Sequence, residues 1–493
     1  MTNDAPRPEA RTPRGFIDRR PRDLIAERRI LTAVLGVYER YGFEPLETGA
    51  LEYADALGKF LPDADRPNEG VFALQDDDEQ WMALRYDLTA PLARFVAQHW
   101  ETLPKPFRRY ASGPVWRNEK PGPGRFREFV QCDADTVGSA RPEADAEIIA
   151  MAADGLAAAG LPPGAYAIRI NNRKLLNGLL ATAGVADDRQ KLAVLRAVDK
   201  LDRLGPDGVR LLLGEGRLDE SGAFTKGAGL KASAIESVIA FTAAGGEGRT
   251  QTLDRLSKVI GGSAEGDEGL QELSNIHQAL DAMGVGPDRA TFDPAVVRGL
   301  EYYTGTVFEA ELLMKTQDEK GHAVRFGSVG GGGRYDDLVA RFTGQSVPAT
   351  GFSFGVSRLA AALRAGGQDL AAQARGPVVV IAFDQARMAD YFAVVGELRA
   401  AGVPAEVYLG ASGMRAQMKY ADRRLSPAAV IIGEDEFAAG TVTVKDLDLG
   451  RDLASGVADN ADNAAYREQR LGQATMPRGD LLAAIRRIIQ AAP

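Results

Sequence analysis

The residues best placed to do chemistry are arginines with small or phenolic neighbours, in three separated stretches. The first, Phe107–Gly138, carries Arg117 and Glu119 between two strand-like runs. The second is Arg298-Gly299-Leu300-Glu301-Tyr302-Tyr303, in an apolar strand-like context. The third, GFSFGVSRL, holds Gly351, Ser353, Gly355 and Arg358. A strand with small residues at alternate positions leaves a flat floor on which a ring could lie, and Arg358 on the helix that follows would stand at its edge. Guanidinium groups meet phosphate oxygens through paired hydrogen bonds, so Arg117 and Arg358 could clamp a polyphosphate from two sides.

Such residues need elements to hold them. Between Pro21 and Tyr41 the apolar positions Leu24, Ile25, Leu31, Val34, Leu35, Tyr38 and Tyr41 recur at three- and four-residue steps, which predicts a helix ended at Tyr41-Gly42. Extended segments follow, with turn clusters at Pro62–Gly70 and Gln75–Glu79. FRRYASGPVWR and RFREFVQCDADTVG flank the turn-rich NEKPGPG, so residues 107–138 read as a β-hairpin. Gln131, Asp133 and Asp135 lie two apart in its second arm and share one strand face. Such a polar row is unexpected on a face that packs into a core.

Residues 141–290 read as mostly helical, broken at Pro162-Pro163 and near 214–229 and 261–269. They look inserted between two β-rich halves, because strands return between 296 and 333 and a helix is expected over Ser357–Arg364. A boundary is expected in the Ala/Gly/Gln-rich segment 365–376. Beyond it, PVVVIAF, AEVYL, AAVIIG and TVTVKDL alternate with helical stretches at Arg387–Ala401 and Ser412–Leu425, the pattern of a small α/β domain. There is no internal repeat.

Several other chemistries are excluded. Gly351-Phe352-Ser353-Phe354-Gly355 matches the G-x-S-x-G elbow of α/β-hydrolases, but there the histidine follows the serine, and His99, His277 and His322 all precede it. The glycine run 330–333 lies in neither a G-x-x-x-x-G-K-[ST] nor a G-x-G-x-x-G loop, and fits a tight turn or close backbone packing better. A single cysteine, Cys132, forms no internal disulfide, and no Cys or His spacing suits zinc; a reducing, cytoplasmic setting fits. No apolar run is long enough to span a bilayer, and residues 1–14 read as a polar, disordered tail rather than a secretory signal. The net charge of −9 decides little, since phosphate contacts need only a local basic stripe.

Taken in order, these pieces resemble the signature motifs of the class II aminoacyl-tRNA synthetases. VWRNEK is similar to the second motif, GFSFGVSRL to the third, and the helix and strand at 21–52 stand in place of the first. RGLEYYTGTVFEA and GGGRYDDL are similar to two peptides peculiar to the histidyl-tRNA synthetase family, and the resemblance covers roughly residues 14–450. It implies an α+β architecture: a catalytic domain on an antiparallel β-sheet flanked by helices (15–170 and 291–364), a mainly helical insertion (171–290), a linker (365–376) and an α/β anticodon-binding domain (377–493).

It also implies roles. Arg117 and Arg358 would hold ATP phosphates, Glu119 would accept from the adenine amino group, and Arg298 would sit beside the α-phosphate and the amino-acid carboxylate. Asp87, Thr89 and Gln131 would bind the α-ammonium, while Asp135 and Tyr303 would hydrogen-bond the imidazole, with Tyr302 and Tyr335 nearby. An imidazole has two ring nitrogens, and a carboxylate plus a phenol can meet both. The implied reaction joins histidine to ATP, releases pyrophosphate and passes the histidyl group to the 3′ end of its tRNA, in a homodimer. Arginines and the Mg²⁺ that accompanies ATP would stabilise charge, without zinc or an organic cofactor. Arg415, Lys419 and Arg423 form one helix face that, with Lys120 of the hairpin loop, would meet the tRNA.

The chain departs from the family at Gly49, where the first motif has proline and Pro45 lies four positions earlier. The loop Lys120–Gly124 is short of hydrogen-bonding side chains, and 451–476 is longer and more polar than the family pattern. Two alternatives stand beside the ligase: a catalytically silent relative serving as regulatory subunit of the histidine-biosynthetic ATP phosphoribosyltransferase, and a class II synthetase for another amino acid. Silent relatives typically lack the terminal domain and the arginine motifs, whereas Arg117, Arg298, Arg358 and residues 377–450 are present here. The RGLEYY peptide argues against the other.

Overall fold

The computed structural model describes residues 8–60, 70–121, 126–218, 222–246, 248–260, 262–297, 299, 303–314, 316–317, 323–324, 326–368, 370–371, 375–456 and 472–491. The chain divides into two compact units between Ala371 and Ala372.

An eight-stranded sheet organises the first unit. Its strands are β1 (Glu44–Pro45), β2 (Phe107–Trp116), β3 (Glu128–Val137), β4 (Tyr166–Asn172), β5 (Ala290–Phe292), β6 (Thr306–Leu312), β7 (Ser328–Arg334) and β8 (Ala349–Gly355). They lie in the order β1-β2-β3-β8-β7-β6-β4-β5. The interior pairings are antiparallel, while the edge strands β1 and β5 run parallel to their neighbours. A parallel neighbour needs a crossover: residues 46–106, with the helix Thr89–His99, lead from β1 to β2, and residues 173–289, with the helix Ala264–Ala282, lead from β4 to β5.

β2 and β3 form the expected hairpin, in register from Phe107 opposite Val137 to Trp116 opposite Glu128. That register aligns Arg109 with Asp135, Ala111 with Asp133 and Gly113 with Gln131. On the other side of β3, β8 sets Gly351, Ser353 and Gly355 opposite the same three polar residues. The alternate positions, among them Tyr110, Cys132, Ala134, Phe308, Phe352 and Phe354, point to the opposite face and join the largest core.

Helices cover that face and join the core, among them α1 (Pro21–Arg40), α2 (Pro142–Ala158), α3 (Ala264–Ala282) and α4 (Val356–Ala365). α1 starts with Pro21 in its first turn, where a missing N–H costs nothing. It buries Ile30, Val34, Val37 and Tyr38, a stripe at helical spacing with no exposed surface. Each such side chain contributes roughly 1.5–3 kcal/mol.

Two sequence expectations are revised. The stretch read as helical from 141 contains β4, an interior strand of the sheet, and α3 packs on α2 with Leu273, Ile276 and Leu280 in the same core. Strand structure expected from 296 begins only at Thr306; residues 296–297, 299 and 303–305 are irregular.

The second unit is a five-stranded sheet of β9 (Val378–Ile381), β10 (Ala405–Val407), β11 (Ala428–Ile431), β12 (Thr441–Asp446) and β13 (Gln473–Pro477), in the order β10-β9-β11-β12-β13. β10, β9 and β11 are parallel; β12 and β13 pair antiparallel. Every residue of β9 and β11 is buried. One face packs on α5 (Met388–Ala400) and α7 (Leu481–Ala491), the other on α6 (Met414–Arg423). The reading of the sequence did not anticipate β13 or α7. Most of the polar stretch 451–476 lies outside the described residues.

Candidate active site

Asp135 is the best-held side chain on the open face of the first sheet. Its Oδ2 lies 2.9 Å from Arg109 Nη2, with both side chains almost wholly buried. Its Oδ1 accepts a hydrogen bond from the Tyr335 hydroxyl. Arg109 also donates to the Leu88 carbonyl at 2.9 Å. β7 and β8 position Tyr335, whose N–H donates to the Ala349 carbonyl at 2.8 Å. Gly351 sits beside this carboxylate, and a Cβ there would lie 1.9 Å from Asp135 Oδ1, so no larger residue fits.

One step along β3, Asp133 is 2% exposed; a further step along, Gln131 is 8% exposed. Gln131 Nε2 donates to Ser353 Oγ at 2.8 Å, and the same hydroxyl is a hydrogen-bond partner of the Asp133 carboxyl. Burial, and then the charge of Asp135, raise the Asp133 carboxyl to about 8. Burial also raises Asp135, against the pull of Arg109 and Tyr335. The Tyr303 and Tyr335 phenols are pushed up by burial and by nearby carboxylates, so both stay protonated.

Asp87 approaches from the segment before the helix Thr89–His99, its Oδ1 accepting from the N–H groups of Thr89 at 3.1 Å and Ala90 at 2.9 Å. Burial raises this carboxyl, while Arg117 and Arg109 lower it. Arg117 caps the end of β2, with Nε donating to the Tyr86 carbonyl at 3.1 Å and its guanidinium 5.2 Å from the Phe129 ring centre. Arg358 leaves the first turn of α4 beside Gly355 and donates to the Phe326 carbonyl. The floor expected from GFSFG is formed by strand β8, not by a nucleophile elbow: Ser353 lies on the open face, with Phe352 and Phe354 beneath it.

Tyr303 packs flat against the chain at Gly299, where φ is +68° and a Cβ would lie 2.2 Å from the Tyr303 ring. Electrostatics tie Tyr303 to Asp133, Asp135 and Asp87. The structure therefore brings together Asp87, Thr89, Gln131, Asp135, Tyr303 and Tyr335, with Arg117 and Arg358 at strand and helix ends of the same face. Glu119 and Lys120 are exposed on the hairpin loop, where the Glu119 backbone carbonyl accepts from Arg127 Nε at 3.0 Å. Arg298 and Tyr302 lie outside the described residues. In the second unit, Arg415, Lys419 and Arg423 are exposed on α6, opposite the buried Gln417 and Ala421.

Arg109 and Arg85 were not singled out from the sequence, and Ser353 had no assigned partner. Arg85 covers Gly113 and donates to the carbonyls of Thr48 at 2.8 Å and Pro114 at 3.1 Å. The hairpin could have revealed Arg109: once the turn is placed, this charge in FRRYASG faces Asp135 directly.

Chemically, the site has two ends. Asp87, Asp133 and Asp135 gather around Arg109 at the Asp135 end, with Arg85 also buried near Asp133, and the three carboxyl groups suit a cationic, hydrogen-bonding ligand. Arg117 and Arg358 suit an anionic ligand, with Phe129 available as a stacking surface. No group of three or more potential metal ligands occurs among the described residues.

Comparisons with known proteins match the two units of the chain separately. Residues 15–359 match the histidyl-tRNA synthetase family model and 377–459 the anticodon binding domain model. The chain is 73% identical over 484 residues to a histidine–tRNA ligase of Caulobacter vibrioides, covering 98% of this chain and 97% of that one. Identity to a histidine–tRNA ligase of Brucella suis is 56% over 496 residues, covering 100% and 98%. The solved histidyl-tRNA synthetase of Nostoc sp. PCC 7120 matches with a TM-score of 0.73 at 29% identity, covering 98% of this chain and 100% of that one. A Bacillus halodurans structure described as an ATP phosphoribosyltransferase regulatory subunit/histidyl-tRNA synthetase shares the fold, with a TM-score of 0.66 at 22% identity over 84% and 97% of the two chains. With one family model spanning residues 15–359 and full-length relatives at 56–73% identity, this chain belongs to the histidyl-tRNA synthetase family.

Proposed function

We infer that the chain is a histidine–tRNA ligase, which activates L-histidine with ATP, releases pyrophosphate and transfers histidine to the 3′ end of its tRNA. The full-length identity to histidine–tRNA ligases supports this activity over the regulatory-subunit alternative. The observation that carries the site reading is the buried Asp135 carboxylate, held between Arg109 and Tyr335 at the base of an otherwise polar face.

On this reading Asp135 and Tyr303 meet the two imidazole nitrogens, with Tyr335 fixing the carboxylate and Tyr302 nearby. Apolar amino acids of similar size would leave these groups unpaired and be rejected. Asp87, Thr89 and Gln131 take the α-ammonium. Arg298 stands at the α-phosphate and the substrate carboxylate, Arg117 and Arg358 at the remaining phosphates, and Glu119 at the adenine amino group. The carboxylate oxygen of histidine attacks the α-phosphorus and pyrophosphate leaves; the arginines stabilise charge that grows during that displacement. Mg²⁺ arriving with ATP neutralises the phosphates when bound.

The α/β unit serves as the tRNA-binding domain, with Arg415, Lys419 and Arg423 toward the phosphate backbone and Lys120 toward the acceptor end. A cytoplasmic homodimer completes the reading; no helix among the described residues is long and apolar enough to cross a membrane. The test is exchange of labelled pyrophosphate into ATP with each amino acid in turn. Histidine alone should support it, and equal exchange with glycine, threonine or proline would sink the specificity.

A further inference from the structure

The Asp135 end of the site holds more buried acceptors than its described donors satisfy. Arg109 Nη2 serves Asp135 and the Leu88 carbonyl, while its Nε and Nη1 are buried with no hydrogen-bond partner among the described residues. Asp133 Oδ1 and Gln131 Oε1 are buried and have no hydrogen-bond partner among the described residues. Both side chains sit on one face of β3 and touch one hydroxyl, that of Ser353, so their free oxygens flank the same spot on the floor. The residues of β8 that flank Ser353 on this face are Gly351 and Gly355, which bring no side-chain donor. An ammonium group has three donors and no acceptor, the complement of this pair.

We propose that Asp133 is a substrate-binding residue, its carboxylate and Gln131 Oε1 together receiving the α-ammonium of the amino acid. This rests on the ligase reading and adds to it a contact that the motif residues do not supply.

The contact has a protonic consequence. Asp133 faces Asp135 on its own strand, Arg109 on β2, Ser353 on β8, and Asp87, Arg85 and Tyr303 from the surrounding segments. With burial and Asp135 holding its carboxyl near 8, it is mainly protonated at pH 7 before substrate arrives. The arriving ammonium then favours the carboxylate. The neutral acid and R–NH₃⁺ become a carboxylate–ammonium pair, and one proton passes to the buffer.

Two ligands separate the amine contact from the ring contact. Histidinol keeps the amine and imidazole, whereas 3-(imidazol-4-yl)propionate lacks the amine. Calorimetric titration at pH 7, in buffers of different ionisation enthalpy, measures affinity and proton release together. The wild-type protein should release close to one proton per histidinol, and Asp133→Asn should lose that release. In the variant, the Kd for histidinol should rise about 10- to 100-fold, as for loss of a hydrogen bond to a charged group, while that for the propionate changes less than about twofold. Asp133→Glu should recover part of the affinity. Equal weakening of both ligands, or proton release that survives the substitution, overturns the proposal. Histidine-dependent pyrophosphate exchange by the wild type is the control. If it is absent, the ligase reading fails; if it is present while Asp133→Asn binds histidinol normally, this inference alone fails.

Discussion

The two faces of the eight-stranded sheet come from the same strands and follow opposite rules. On the helix side, Tyr110, Cys132, Ala134, Phe308, Phe352 and Phe354 interlock with α1 to α4, and stability grows with the apolar area removed from water. On the open side, Arg109, Gln131, Asp133, Asp135 and Ser353 stand among glycines, and several carry a charge or an unpaired acceptor that burial penalises. One face holds the fold together at the expense of chemistry; the other holds chemistry at the expense of stability. Because alternation has period two, a single hairpin register sets both faces at once.

The sharpest way to break this contrast is at Asp135. Asp135→Asn should lower kcat/KM for histidine by about 10³-fold or more in pyrophosphate exchange, because it removes the acceptor and leaves Arg109 as an uncompensated buried charge. Wild-type kinetics in that variant would remove Asp135 from the site.

On the opposite face, Phe354→Ala should cost about 3–5 kcal/mol in denaturant unfolding, since Phe354 is wholly buried between Tyr38 and Phe352. The KM for histidine should hold wherever the variant stays folded. A variant with normal stability and a raised KM would mean that the two faces are not separable.

Gly351→Ala falls between the two. The added methyl would drive Asp135 off its partners and lower exchange about 10²-fold, with a smaller loss of stability than Phe354→Ala. Equal losses in exchange and in melting temperature would make Gly351 a packing residue only.

The smallest effect is expected in the stability of Asp133→Asn. The folded-state carboxyl, near 8, lies above its ordinary value of 3.8, so the folded chain keeps a proton that the unfolded chain releases. Wild-type stability from this group is therefore fully present below about pH 4 and falls as pH rises toward 8. Melting curves of variant and wild type should coincide near pH 4, and the variant should gain a few degrees by pH 8. A gap that closes with rising pH would reverse the sign and show Asp133 to be stabilised as a carboxylate.

Much of this could be read from residue order. The helix at 21–40, the hairpin at 107–137 and the alternation of GFSFG are local patterns, because helix period, turn residues and strand alternation depend on near neighbours. The row Gln131, Asp133, Asp135 was visible for the same reason, as was the α/β alternation after residue 377. Other features left no local trace. β4, YAIRINN, is buried on both sides for most of its length, so it lacks the polar–apolar alternation that marks an amphipathic strand and was absorbed into a helical stretch. Strand order, the parallel edges, and the meeting of Asp87, Arg109, Asp135 and Tyr335 were decided only in three dimensions. The last pair is separated by 200 residues, and what selects it is the register of β8 and β7 on β3 together with the need of a buried carboxylate for partners. Sequence by itself determined which residues could do chemistry and on which strand face they lie. Tertiary structure decided which of them share one buried dielectric, and so which carboxyl is paired and which keeps its proton.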